Sequence, residues 1–423
     1  MVLGGALQVK RDEAHHPSRD HAGWLCLTSP SYSTLNQTPT SAACSYLETT
    51  MKTGVVLPSD DRYQFGSEDS LVQTAWASLV CIIQAEQVSR SVKYLAQRGV
   101  HFTICSGANS PAPPSVEYHA ERNFAVVGTG TRWVVGGRIL HVGISGLTLG
   151  SELSYRSDPY GLACDNHALK GGVDNSGVVT RFTLATYPTW DAMLQYQSVG
   201  AKDTKDAYAN LMMQAFPSNG TLGVLLNLVY TKPVEMPAAF APFYSISTIA
   251  DTIHTQPMTD FLASQISPSL PRLNWCATSF ETDATLFEIV EKDRSIAVGW
   301  QPNSTSAIAA GHARKEDALG LEYVNQMWLA MDVSWSDTKN DAVANKATMR
   351  LIAKYGKYCQ EQKKACWLHL HERCRVTQDV IAHYGNNSVA KLCAVQRRYD
   401  PRAIFQELVP GGFKLPPVGP KGW

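Results

Sequence analysis

The chain has 423 residues, more than one ordinary core accommodates, so two or three lobes are expected. Charged residues make up 17% of it, below the usual quarter, and 37 Lys and Arg balance 37 Asp and Glu. A neutral chain with no basic run lacks the concentrated positive field that nucleic-acid and membrane-surface binding use, and no apolar stretch reaches the roughly 18–20 residues of a membrane helix, which leaves a protein that handles a small molecule.

Residues 1–43 read as a loosely held arm, because 12–43 are polar and rich in His, Ser and Thr. "MVLGGALQV" has no basic residue before its apolar run and makes a poor signal peptide, and Lys10-Arg11 reads as an ordinary dibasic pair. N-x-S/T sequons at Asn36, Asn219, Asn303 and Asn386 permit a secretory route without establishing one, so the compartment stays open. The ten cysteines include no C-x-x-C pair, which argues against a zinc ribbon.

Leu79 to Ser110 is the clearest local unit. "LVCIIQ" is a short apolar, β-branched run, hence a buried strand. "EQVSRSVKYLAQRG" puts Val88, Val92 and Leu95 on one helical face, with Gly99 at the C-cap. "VHFTI" follows as the next strand, so the unit reads as βαβ with parallel strands. "CSGANSPAP" then leaves the carboxyl end of that strand, where open α/β sheets bind ligands. Its small residues let backbone N–H groups approach an anion, although a plain tight turn has the same composition.

Eleven of the thirty glycines fall between Gly128 and Gly177, in segments also rich in Val, Ile and Leu. Such density suggests strands joined by turns where backbone comes close to something. No G-x-G-x-x-G follows a strand and opens a helix, so no Rossmann fingerprint is present. Beyond Thr189, "TLGVLLNLVY", "SIAVGW" and "MDVSWSD" read as strands. "TDATLFEIVEKD", "EDALGLEYVNQMWLAM", Asp341–Gln362 and Lys202–Gln214 read as helices. Without βαβ alternation, an antiparallel sheet with helices on one face is expected.

Taken together, "CSGANSPAP", "VGTGTRW", "GGRILHVGISGLTLGSELSYRSDPYGLACDNH", "KGGVDNSGVVTRFTLATYP" and "YDPRAIFQELVPGGFKL" resemble the FAD-linked oxidases of the berberine-bridge-enzyme-like group, and the texture is fungal. The resemblance runs from about Cys44 to Pro417. It implies an α+β fold: a two-subdomain FAD-binding domain of the PCMH type, plus a substrate domain whose antiparallel sheet is covered by helices. The implied divisions are an arm at 1–43, a shortened FAD-binding domain at 44–188 and a substrate domain at 189–375. A segment at 376–417 returns to the FAD-binding domain, and 418–423 form a tail.

By the same resemblance, Ser106, Gly107, Ala108, Asn109 and Ser110 cradle the FAD pyrophosphate. Gly143, Ser145, Gly146, Thr148 and Gly150 form the other side of the cradle. Tyr160, Gly161 and Asp165 complete the motif, and Gly177, Val178 and Val179 lie along the cofactor. Cys44 and Cys81 match positions suited to a disulfide. Asn109 stands where the family often has a flavin-linked His, so any FAD is non-covalent. Cys105 replaces an Arg, and Glu152 replaces a glycine beside the diphosphate. Several whole secondary elements of the family are absent or shortened.

The implied chemistry is hydride transfer from a small organic substrate to flavin, in fungal secondary metabolism, with oxygen as the acceptor. The protein then has to supply a base of near-neutral pKa, for which His369 and His371, alternating on one face of a strand, are the candidates. Cys366, His369, His371 and Cys374 fit no standard metal spacing, so no metal is expected. Glu281, Tyr323, Trp328 and Trp335 fall in the substrate domain, where aromatics serve as core or as substrate lining. The competing reading is a flavin-free homologue doing isomerisation or cyclisation, or an inactive truncated remnant.

Overall fold

The computed structural model describes residues 2–7, 24–28, 39–51, 55–56, 79–84, 87–105, 116–129, 131, 138, 143–150, 153–162, 175–187, 193–194, 206–218, 221–265, 272–281, 297–313, 319–361, 366–367, 380–410 and 412–416. Helices and antiparallel sheets are mixed, and the described strands form three sheets, two small and one large.

In chain order the first lobe contains β1 (Val2–Leu7), β2 (Trp24–Thr28), α1 (Pro39–Met51), β3 (Val55–Val56), β4 (Leu79–Gln84), α2 (Val88–Arg98) and β5 (Phe102–Cys105). β6 (Val116–His119), β7 (Phe124–Gly128), α3 (Ile144–Leu149), α4 (Ser157–Tyr160) and β8 (Arg181–Tyr187) follow. One sheet has the order β3-β4-β2-β5 and the other β1-β8-β7-β6.

The strand–helix–strand unit forms, with one difference from expectation. β4 and β5 run in the same direction, but both pair antiparallel with β2, which lies between them. A segment read as a loose arm therefore supplies a central strand, and β1 pairs with β8. Five residues of β2 carry too short a pattern to stand out from the polar segment around them. Gly99 caps α2 in the left-handed region (φ 62, ψ 30), donating its N–H to Leu95 O. Val88 and Leu95 are buried, and Val92 packs against the same cluster as Leu47, Phe102 and Phe405. Cys44, on α1, is disulfide-bonded. The side chain of Cys81 lies outside the described residues.

The second lobe is one antiparallel sheet of order β12-β9-β11-β10-β14-β15-β13-β16. Its strands are β9 (Met193–Leu194), β10 (Ala209–Ser218), β11 (Thr221–Tyr230), β12 (Thr255–Gln256), β13 (Arg272–Glu281), β14 (Ala297–Asn303), β15 (Gln326–Trp335) and β16 (Cys366–Trp367). Its helices are α5 (Met258–Ser264), α6 (Thr305–His312) and α7 (Asp341–Glu361). Leu351 and Tyr355 of α7 pack on Cys276, Phe280, Trp300 and Met331 of the sheet.

Two expected helices are strands. Within Lys202–Gln214, β10 begins at Ala209 and pairs residue for residue with β11. Ala209, Leu211 and Ala215 are buried at a spacing of two and Met213 is half-buried, a period that Met212, also buried, obscured. Within "EDALGLEYVNQMWLAM", Gly320 adopts φ +64 and the strand β15 starts at Gln326. β15 lies between β14 and β13 and buries six consecutive residues, Gln326 to Met331, and such an apolar run has no period to separate helix from strand. "TDATLFEIVEKD" lies outside the described residues.

Finally, α8 (Asn386–Tyr399) and α9 (Ile404–Glu407) carry the chain back to the first lobe. Phe102 N donates to Leu408 O at 2.9 Å, and Gln406 Nε2 donates to Asn175 Oδ1 at 2.6 Å. Asn175 Nδ2 reaches Phe413 O at 2.7 Å.

Candidate functional site

Two of the described stretches that the resemblance assigns to the cofactor, 143–150 and 177–179, meet at the seam between the two small sheets. Gly177, Val178 and Val179 run as irregular chain before β8. Val178 packs into the cluster of Leu47, Phe102 and Phe405, whereas Val179 packs into that of Ile144, Leu147 and Phe182. Successive side chains of extended chain point to opposite sides, so this backbone lies between two cores and offers its own polar groups to the seam. Thr129 Oγ1 donates to Thr180 O at 3.3 Å and anchors the stretch.

α3 borders the same seam. Gly143 is its N-cap, Ser145 Oγ donates to Thr129 O at 3.2 Å, and Ser145 and Thr148 are buried. Gly146 is exposed, with no atom within 4 Å of the point a Cβ would occupy. Gly150 closes the helix by donating to Gly146 O at 2.7 Å. β5, whose Phe102 and Ile104 belong to the Val178 cluster, ends at Cys105 beside this seam. Ser106, Gly107, Ala108, Asn109 and Ser110 themselves lie outside the described residues, as do Glu152, Asp165, His369, His371 and Cys374.

Tyr160 ends α4, and Gly161 follows at φ 78, ψ 177, a conformation open essentially only to glycine. Arg156, just before α4, is 4% exposed, and its Nε and Nη2 find no partner among the described residues. Burial pulls its pKa below the usual arginine value, while its hydrogen bond to Tyr160 opposes that.

A second feature is missing from the sequence reading. The 153–158 segment docks on the large sheet and closes a cleft of about 310 Å³ lined by Arg138, Ser154, Asp158, Asn210, Pro302 and Asn303, among others. Polar pins hold its walls together. Asp158, buried on α4, accepts from Ser304 Oγ and, at 3.0 Å, from Ser306 Oγ of the facing α6. Asn210 Nδ2 donates to Tyr155 O at 2.7 Å, and Arg138 Nη2 donates to Gln301 Oε1. Burial pushes the Tyr155 phenol up to about 12, against the opposing charge of Arg138, so it stays protonated at neutral pH. Asn303 is 1% exposed, and neither its Oδ1 nor its Nδ2 has a partner among the described residues. The sequon there is thus no surface acceptor, whereas Asn386 is exposed. These residues come from α4, α6, β10 and β14 and from chain outside them, and of these only Asn303, through its sequon, had been singled out.

The substrate-domain candidates do not line the cleft. Trp328 is core, its Nε1 donating to Gln326 Oε1 at 3.0 Å. Trp335 Nε1 donates to Asp341, which also pairs with Arg272, while Tyr323 and Glu281 are exposed. Among the described residues no group of three or more His, Cys, Asp or Glu could hold a metal, and no helix is long and apolar enough to cross a membrane.

Two small sheets with a seam between them, and a broad antiparallel sheet with helices packed on it, make up the fold of the FAD-binding oxidases of the berberine-bridge-enzyme-like group. The chain matches 6-hydroxy-D-nicotine oxidase from Arthrobacter nicotinovorans with a TM-score of 0.65 at 16% identity, over 86% of this chain and 98% of that one. Xylooligosaccharide oxidase from Myceliophthora thermophila gives 0.61 at 13%, over 89% and 100%. The fold expected from the motifs is therefore the one observed.

Among sequence relatives, the bifunctional solanapyrone synthase of Alternaria solani is 28% identical over 88% of this chain and 89% of its own. An FAD-dependent monooxygenase of Arthrobotrys oligospora is 26% identical over 81% and 83%. The first alignment runs over 468 positions, longer than the chain itself, so it crosses segments of that relative which this chain lacks. No family model matches the chain.

Proposed function

We propose that this chain is an FAD-linked oxidoreductase that oxidises a small organic substrate in fungal secondary metabolism. The observation that carries the reading is the seam: Val178 and Val179 face opposite cores and leave backbone between them. Relatives named FAD-dependent monooxygenases support the same reading over a flavin-free isomerase or a remnant.

The described residues fit the cofactor. Open space at Gly146 lets a diphosphate come against backbone, and the small, buried Ser145 and Thr148 leave the helix start unobstructed. Gly143, Ser145, Gly146, Thr148 and Gly150 would hold one side, with Ser106 to Ser110 opposite. Gly177, Val178 and Val179 would run alongside, and Tyr160, Gly161 and Asp165 would complete the surround. With Asn109 in place of a histidine the attachment is non-covalent. Bound there, FAD supplies the two-electron oxidant, and oxygen is the acceptor we assign.

This chain's residues do the rest. The docked 153–158 segment and the large sheet exclude water from the cleft and hold the substrate. Tyr155, kept neutral by burial, serves as a donor and not as a base. His369 or His371 is assigned the proton-accepting role. The domain division at 44–188 and 189–375, with 376–417 returning, belongs to the same proposal.

The test is the visible spectrum of the purified protein before and after acid precipitation. Two flavin bands, released into the supernatant, are expected. Colour retained in the pellet refutes the non-covalent assignment. A folded, colourless protein that also fails to take up added FAD refutes the reading itself.

A further inference from the structure

The cleft is lined by an amide that no described side chain or backbone group engages. Asn303 ends β14 at 1% exposure, and both polar atoms of its amide lack a partner among the described residues. A buried, unpaired amide is costly and is normally satisfied, so its retention points to a partner that comes from outside the chain. Its neighbours in the cleft are already engaged. Asp158 accepts from two serine hydroxyls, Arg138 donates to Gln301, and Asn210 donates to Tyr155 O. One cation and one carboxylate, each with its own partner, leave no call for a charged ligand. The Tyr155 hydroxyl, also without a partner and within reach of the Arg138 charge, adds a second donor near this cleft.

We propose that Asn303 is a specificity-determining residue that binds a neutral ligand carrying an acceptor and a donor side by side, such as a lactam, a secondary cis-amide or an enolised dicarbonyl. Its Oδ1 accepts from the ligand N–H or O–H, and its Nδ2 donates to the neighbouring carbonyl, as a planar amide does when it pairs edge to edge. The inference rests on the oxidoreductase reading only in calling that ligand a substrate.

The test uses the full chain and two probes, δ-valerolactam and its N-methyl derivative, which keeps the carbonyl and lacks the donor. Calorimetric or ligand-observed NMR titration should show the lactam binding roughly tenfold tighter, the effect of one good hydrogen bond. In Asn303→Leu the preference should vanish while the melting temperature holds or rises, because replacing an unpaired buried amide by an apolar group of similar size removes a penalty. Asn303→Asp, which loses the donor, should weaken the lactam as well. Equal binding of both probes, no binding, or a preference that survives in Asn303→Leu overturns the proposal. A lower melting temperature in both variants also overturns it, since the amide would then be a structural hydrogen-bonding group. The flavin bands of the same sample are read separately. A yellow protein with no lactam preference refutes this inference alone, and a colourless one that takes up no added FAD yet keeps the preference refutes only the redox reading.

Discussion

The joint between α4 and α6 decides whether the cleft has two walls, and Asp158 is its centre. Its Oδ1 accepts from Ser304 Oγ and from Ser306 Oγ, and Ser304 Oγ is at the same time the N-cap acceptor for Ala307 N at 3.3 Å. A hydrogen bond to a charged group contributes about 1.5–3 kcal/mol. The two hydroxyls lie 2.7 Å apart, so on losing the carboxylate one can donate to the other and only one bond is forfeited outright. Asp158→Ala should therefore cost about 2–3 kcal/mol, and Asp158→Asn, which keeps an acceptor, under about 1 kcal/mol. Urea denaturation of Asp158→Ala, Ser306→Ala and the double variant closes a cycle, and groups in direct contact should show a coupling of about 0.5–3 kcal/mol. Additive single effects, or an Asp158→Ala no weaker than wild type, would mean that packing alone docks α4 on the sheet lobe.

Two further substitutions test other parts of the fold. Gly320→Ala should be worse than Gly99→Ala: both residues have positive φ, but a Cβ at Gly99 meets nothing, whereas at Gly320 it would collide with the Tyr384 carbonyl oxygen and approach Ser388 Oγ to 2.8 Å. Left-handed strain of about 1–2 kcal/mol applies to each, and overpacking of about 1–3 kcal/mol is added at Gly320, so equal denaturation midpoints would refute the geometry. Tyr155→Phe should leave neutral-pH stability unchanged or higher, since its hydroxyl has no partner among the described residues. The folded-state pKa of Tyr155 is raised to about 12, so its contribution is complete below 10 and is lost as pH rises from 10 to 12. The variant's stability should fall less steeply across that window, by up to about 1.4 kcal/mol per pH unit, and parallel curves would contradict the burial of the phenol.

The parts of the fold that could be read from the sequence are those where one local rule dominates. The α2 stripe and its Gly99 cap, the pure strand texture of β11 and the long polar-apolar alternation of α7 each announce themselves. Misreadings arose where burial on both faces erased the period, at β10 and β15. Gly143 and Gly146, singled out by their place in a quoted motif, border the seam between the two small sheets. Asn303, Asp158 and Arg138 did not stand out, since their meaning comes only from strands and helices far apart in the chain meeting at one cleft.

The N-terminal segment shows the same limit and explains how a shortened chain can complete its lobe. β4 and β5 do not touch, so without a strand between them each would present an open edge of unpaired N–H and C=O groups. β2 pairs on both sides, Trp24 with Gln84 and Cys105, Leu27 with Cys81 and Phe102. β1 does likewise for one edge of the other sheet by pairing with β8. The polar residues between the two strands carry no pattern, yet β1 and β2 supply backbone to the two sheets that flank the seam. Cys44 follows directly, in α1, and its disulfide restrains that helix against the rest of the chain. Completion of the two small sheets therefore depends on β1 and β2 as much as on the strands the sequence announces. That dependence follows from hydrogen-bond pairing, which every sheet edge must satisfy whatever the side chains are.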